Sequence, residues 1–181
     1  RIPSGATDIS IIGLEFNGNK ANQTTGNHGI TSTGTGVSRI RIVDCHLHDC
    51  FFDGIGLTGT LSSTPISHVL IQGCYAYNNG SVANEGDGIA NRGAVLTYSS
   101  IVNNVCYDNT RHNICVDAGD HVTVVGNVCY HTSDPGSTSD HIIIHGDEGT
   151  DIVVVGNTCK GGGHNGIHIG GTGRLLITGN I

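Results

Sequence analysis

The segment HVTVVGNVCYHT at 121–132 returns thirty residues later as DIVVVGNTCKGG at 151–162. Each copy carries a branched apolar run, then Gly-Asn, one variable residue and Cys. Extending the alignment through the chain gives a column at Leu14, Cys45, Cys74, Asn104, Asn127, Asn157 and Asn180, spaced by 31, 29, 30, 23, 30 and 23 residues. An aliphatic residue stands three positions before each: Ile11, Ile42, Ile71, Ile101, Val124, Val154 and Ile177. Two positions after come Phe16, Leu47, Ala76, Cys106, Cys129 and Cys159. Self-similarity at a period of roughly 20–50 residues marks a solenoid, in which each repeat buries its apolar face only against its neighbours.

A second run interleaves with the first, reading HGITS, DGIGL, DGIAN, HNICV, HIIIH and NGIHI. Its inward pairs are Ile30/Ser32, Ile55/Leu57, Ile89/Asn91, Ile114/Val116, Ile142/Ile144 and Ile167/Ile169. Alternation at period two, punctuated by Gly, Asn and Asp, argues for short strands. No stretch keeps a helical period. Each winding therefore contributes two strands and a short third around the Cys column, and lies on the next at about 4.8 Å. The expected architecture is all-β: a right-handed parallel β-helix of about six to seven coils, wound from one chain. Residues 1–181 read as one domain. The chain opens and closes within a rung and offers no capping helix, so it is expected to be part of a longer chain.

Stacking also gives the Asn and Cys columns a physical reading. An amide at a tight bend can bond its equivalents above and below, and Cys is a small, readily buried hydrophobe. The seven cysteines contain no C-x2-C pair, and an odd count leaves one unpaired. Cys106, Cys129 and Cys159 are expected to form a buried stack rather than disulfides, and Cys45 and Cys74 share the Asn register.

Composition narrows the function classes. With 8 Lys plus Arg and a net charge of −7, the chain lacks the basic clusters that bind phosphate backbones, so no nucleic-acid partner is expected. No apolar run is long enough to span a bilayer, so no membrane insertion is expected. The opening RIPSGATDIS has no apolar core of a signal peptide. The sequons at Asn22 and Asn79 match glycosylation acceptors, a weak motif.

The GI-x-I … I-x-G-N-x-C coil pattern resembles the right-handed parallel β-helix superfamily that includes pectate lyases, polygalacturonases and phage tailspikes. The resemblance covers about Ile9 to Ile181 and specifies architecture rather than activity. It implies a substrate groove along the strand that carries the Gly-Ile pattern, a polysaccharide or cell-surface glycan as partner, an extracellular or virion-surface location, and a homotrimer if the chain is a tailspike segment. The enzyme signatures NTD, GHG and YGFDPH are absent, so a groove carries over and a mechanism does not.

If the residues one before, one after and three after each inward Ile point outward, Arg92, Asp117 and His145 share one external column. Neighbours there would lie about 5 Å apart and the ends about 10 Å. Flanking loops add Glu85, Asp87, Arg111, His112, Asp140, Asp147 and Glu148. Hydrolysis of a glycosidic bond needs two carboxyl groups, which Asp117 with Asp147 or Glu148 would supply. Elimination needs a base and a cation against a uronate, roles for His145 and Arg92 or Arg111, with calcium on loop carboxylates as the one ion that reading calls for. The low Lys plus Arg count favours hydrolysis. Arg111, His112, Asp87, His141 and His168 are candidates for substrate binding. His141, His164 and His168 also form an imidazole cluster of the type that ligates transition metals. Such residues are most often plain surface side chains, and neither a metal nor a cofactor is assigned. The competing class is a non-catalytic stalk of a tailspike, fibre or adhesin. Sugar grooves commonly stack on aromatic rings; this chain has no Trp, and its tyrosines lie off the Gly-Ile face. The long loops 17–28 and 77–87 favour function.

Overall fold

The computed structural model describes residues 1–59, 64–81, 86–133, 139–146, 150–161, 164–171 and 173–181. Three all-parallel sheets of seven, six and six strands run the length of the chain. The first collects strands such as Leu96–Val102 and Gly119–Val125, the second Val105–Tyr107 and Val128–Tyr130, and the third Ile89–Arg92 and Ile114–Val116. Consecutive strands belong to different sheets, and each pairs with its equivalent one winding away. The expected parallel β-helix is therefore the observed fold. One short 3-10 segment, Lys20–Asn22, is the helix among the described residues, and none there is long and apolar enough to cross a membrane.

Like residues lie over like. In the second sheet Phe16, Leu47, Ala76, Cys106, Cys129 and Cys159 pair in sequence, and in the third the inward isoleucines do the same. All seven cysteines are free thiols; Cys45, Cys74, Cys106 and Cys129 lie in the core, with Cys159 half-buried against it. Burial pushes the Cys74 thiol up to about 12 and the Cys159 thiol to about 11, so neither is poised as a nucleophile.

The Gly-Asn pair now has a mechanism. The residue before each ladder position is left-handed: Gly13, Asp44, Gly73, Asn103, Gly126, Gly156 and Gly179, with φ between 51° and 66°. Gly, Asn and Asp are the residues that tolerate that conformation. The bend turns the next side chain inward, where it must find partners in a dry core. Asn104 is fully buried; its backbone N–H donates to Asn127 Oδ1 at 2.9 Å and its Nδ2 to the same oxygen at 3.0 Å and to the Ile71 carbonyl at 3.1 Å. Asn127 repeats this toward Asn157 and Ile101, and Asn157 toward Asn180 and Val124.

A second amide ladder stands five residues on. The Cys50 N–H donates to Asn79 Oδ1 at 3.1 Å, the Asn79 N–H to Asn109 Oδ1 at 3.2 Å, and Asn109 Nδ2 to Asn113 Oδ1 at 2.8 Å. Left-handed Asp49, Asn78 and Asp108 precede its members. The Asn79 sequon thus sits on a fully buried side chain, which no glycosyltransferase can reach in the folded chain. The Asn22 sequon is exposed.

A third left-handed column interrupts the first sheet at Asp8, Arg39, His68, Tyr98, His121 and Asp151. It aims these side chains outward, where Arg39 pairs with Asp8 at 2.7 Å, and Tyr98 stacks between His68 and His121.

Replacing Asn127 by Ala leaves the Asn104 N–H without its acceptor and takes one bond each from Asn104 Nδ2, Asn157 Oδ1 and the Ile101 carbonyl, and should lower the unfolding free energy by about 3 kcal/mol. Denaturant unfolding of the variant measures this; a loss below about 0.5 kcal/mol would mean the ladder adds nothing beyond the strands.

Candidate functional site

Outward-facing residues of the third sheet follow the expected register. Thr58 pairs with Arg92, and Val116 pairs with Asn91 and Ile144, which sets Asp117 over Arg92 and His145 over Asp117. His145 Nδ1 and Asp117 Oδ1 are 3.5 Å apart, with the side chains 41% and 32% exposed. The Asp117 N–H donates to buried Asn91 Oδ1 at 3.0 Å, and Asn91 Nδ2 donates to the Ala94 and Ala118 carbonyls. An internal amide therefore positions the acid at the surface.

Arg92 stands in this column but turns away from Asp117. Its Nη2 donates to Asp53 Oδ1 at 2.8 Å and to Asp87 Oδ2 at 2.9 Å. Both carboxyls are buried, and His28 Nδ1 meets Asp53 Oδ2 at 3.1 Å. Two carboxylates and one guanidinium in a dry site cannot all be charged without cost. Burial and the Asp53 charge push Asp87 up to about 7, against the pull of Arg92 and Arg111. Burial also opposes the Asp53 charge, but the His28 contact, Arg92 and the Asp87 N–H outweigh it and hold this acid below the usual range. The pair separates into one ionised and one readily protonated carboxyl.

The remaining candidates divide by exposure. Asp87 is buried against Arg92, so its carboxyl cannot touch a sugar directly as a binding residue. His112 is buried, its Nδ1 accepting the Asp140 N–H at 3.1 Å. Burial, with Arg111 nearby, lowers it to about 4, leaving a neutral imidazole. His141 is also buried, its Nδ1 3.0 Å from Asn113 Nδ2, inside the coil rather than on the groove face. Arg111 is half-buried with its N–H on the Gly86 carbonyl at 3.3 Å, and His168 is 39% exposed. Asp147, Glu148 and Glu85 lie outside the described residues.

Two corrections to the assumed geometry explain this sorting. The position just before each Ile is a bend, not strand, so period-two alternation stops there and Asn113 and His141 turn inward. The position two before each Ile instead folds over the outer face: His28, Asp53, Asp87, His112, Asp140 and Asn165. Gly56 makes room for this, because a Cβ there would lie 2.5 Å from His28 Nδ1 and 2.9 Å from Asp53 Oδ2. The overhang also buries Ala90, Cys115 and Ile143, which the alternation had placed on the open surface. Burial raises the Cys115 thiol well above its ordinary range, and the negative charges of Asp87 and of Asp117, whose Oδ1 is 3.5 Å away, push it the same way. His28 and Asp53 escape a search for outward positions, yet aligning the chain two residues before each Ile exposes the whole titratable column.

At the far end of the column Asp140 is ringed by imidazoles. Its carboxyl oxygens lie 3.2 Å from His164 Nδ1, 3.1 Å from His168 Nδ1 and 3.8 Å from His112 Nδ1. Burial opposes its charge, but Asn165, His168 and His112 outweigh that and keep it ionised below the usual range.

The raised Asp87 carries a signed consequence. The folded state holds its proton from about pH 4 to about pH 7, where the unfolded chain has lost it, so this group's contribution to stability declines across that window. Asp87→Asn removes the proton exchange. Its thermal midpoint relative to the unaltered chain should rise steadily from pH 4 to pH 8, and a difference that is flat with pH would show Asp87 to titrate normally.

The description "right handed beta helix region" matches residues 4–181. No curated protein and no solved structure matches the chain. The match agrees with the stacked registers and with the resemblance carried by the coil pattern. The chain belongs to the right-handed β-helix family.

Proposed function

We propose that the chain binds a polysaccharide along the outer face of the third sheet and hydrolyses it, with Asp117 and His145 at the reacting bond. The β-helix fold is suited to polysaccharide binding or processing, or to a structural role, and the choice between them rests on this face. The observation that carries the reading is the exposed Asp117–His145 pair at 3.5 Å, anchored by Asn91 from within. A positioned carboxyl beside an imidazole can move a proton to or from a glycosidic oxygen or water. Asp147 or Glu148 would supply the second carboxyl that hydrolysis requires.

Elimination is the weaker chemistry here. It needs a cation free to hold a uronate carboxylate, and Arg92 is engaged by Asp53 and Asp87. No cofactor is assigned; calcium belongs to the elimination reading. An extracellular or virion-surface site of action, and a trimer for a tailspike, go with a glycan partner.

One observation favours a non-catalytic stalk. Tyr77, Tyr107 and Tyr130 stack at 4.7 Å with planes within 4°, and His48 stacks on Tyr77 at 4.8 Å. Faces covered in this way are closed to a stacking sugar.

A polysaccharide panel followed by reducing ends and by ultraviolet absorbance of unsaturated products separates these readings. Reducing ends alone are expected, falling about 100-fold or more in Asp117→Asn with the fold retained. Unsaturated products would replace hydrolysis by elimination, and binding without either signal would leave the stalk. Unchanged turnover in Asp117→Asn would remove that residue from the site.

A further inference from the structure

The grouping of Asp140, His164 and His168 is independent of the Asp117–His145 pair and does not require polysaccharide cleavage. One ligand atom from each of these three residues lies within 4.8 Å of the other two. Asp140 Oδ1 is 3.2 Å from His164 Nδ1, and Oδ2 is 3.1 Å from His168 Nδ1. Bonds of about 2.0–2.1 Å around a tetrahedral zinc ion place adjacent ligand atoms about 3.3 Å apart. The two carboxylate–imidazole distances already stand near that spacing.

Proton positions add an independent argument. Asn165 Nδ2 lies 2.7 Å from Asp140 Oδ1 and 2.7 Å from His164 Nδ1. An amide nitrogen only donates, so with the amide in this orientation His164 Nδ1 accepts its hydrogen and leaves the ring proton to Nε2. One amide thus bridges the carboxylate oxygen and the ring nitrogen, which stand 3.2 Å apart. A metal ion between them would satisfy both. The Asp140 side chain is itself buried, at 4% exposure, with its N–H fixed on His112 Nδ1. Its carboxylate is therefore held by a packed second layer, as ligating groups are, while the half-exposed imidazoles leave the outward side open to water.

We propose that Asp140, His164 and His168 form a binding site for a zinc-class divalent transition metal, with its remaining positions open to solvent. Two nitrogen donors and one carboxylate select such ions over calcium or magnesium, which take oxygen. His141, which the sequence groups with these two imidazoles, is replaced by its neighbour Asp140, because His141 turns into the coil. The other cluster of this type, Asp120, His121 and Asp151, is a poorer match: both imidazole nitrogens already face carboxylates, at 2.9 and 3.4 Å, and Asp151 is paired with Arg174.

Cobalt(II) titrated into the 181-residue chain tests this through its visible d–d absorption. One equivalent is expected to bind with a spectrum of nitrogen and oxygen ligands. His164→Gln and His168→Gln, both at exposed positions, should each weaken uptake by about tenfold or more without changing the metal-free thermal midpoint. His121→Gln should leave uptake unchanged. The site would be overturned by no uptake, by a thiolate charge-transfer band showing cysteine ligation, or by full uptake in the His164→Gln/His168→Gln double variant.

Discussion

A polar group carried into the interior of a winding coil must be bonded there, because no water reaches it. That constraint governs this molecule. Every turn needs a left-handed bend, the bend drives the following side chain inward, and an inward amide is satisfied by the backbone and the amides of the neighbouring turns. Asn104, Asn127, Asn157 and Asn180 do so, as do Asn79 and Asn109. Each bond presupposes that adjacent turns are in register, so the ladders lock the stacking as well as profiting from it. Where Cys45 and Cys74 occupy the same register, their backbone and thiols take the place of the amide, and Cys74 N–H still donates to Asn104.

The stacking that organises the interior also concentrates ionisable groups outside. Residues one winding apart are held about 4.8 Å from each other, so Asp53 and Asp87 cannot separate, and Arg92 settles between them. The result is a buried, nearly neutral cluster flanked by the exposed Asp117–His145 pair. A solenoid thus offers two kinds of site on one face: charges sealed beneath an overhang, which shape the surface and its pH response, and charges on its rim, which can meet a ligand.

Much of the architecture could be read directly. The column of Asn and Cys, the inward isoleucines and the third short strand all follow from one periodicity, and the observed pairings repeat it residue for residue. The candidate site was less legible. Arg92, Asp117 and His145 share a column as expected, but the side chain of Arg92 could have turned toward either carboxyl neighbour, and only the depth of Asp53 and Asp87 decides which. His112 and His141 read as candidates for substrate binding, yet one is buried within the overhang and the other lies inside the coil. Period-two reasoning cannot see this, since it holds within a strand and fails at the bend before it.

The amino-acid order alone determined the repeat, and with it the fold, because a winding can close only if left-handed residues, inward amides and branched side chains recur at fixed intervals. It determined, too, which residue types crowd onto the Gly-Ile face. What the folded chain decided was access and partnership. Gly56 lets His28 and Asp53 fold over the surface, Asn165 presents one amide to Asp140 and His164, and unequal partners split two equally buried acids into a charged and a protonatable form. Those outcomes depend on distances between turns some thirty residues apart in the chain, which no local pattern encodes.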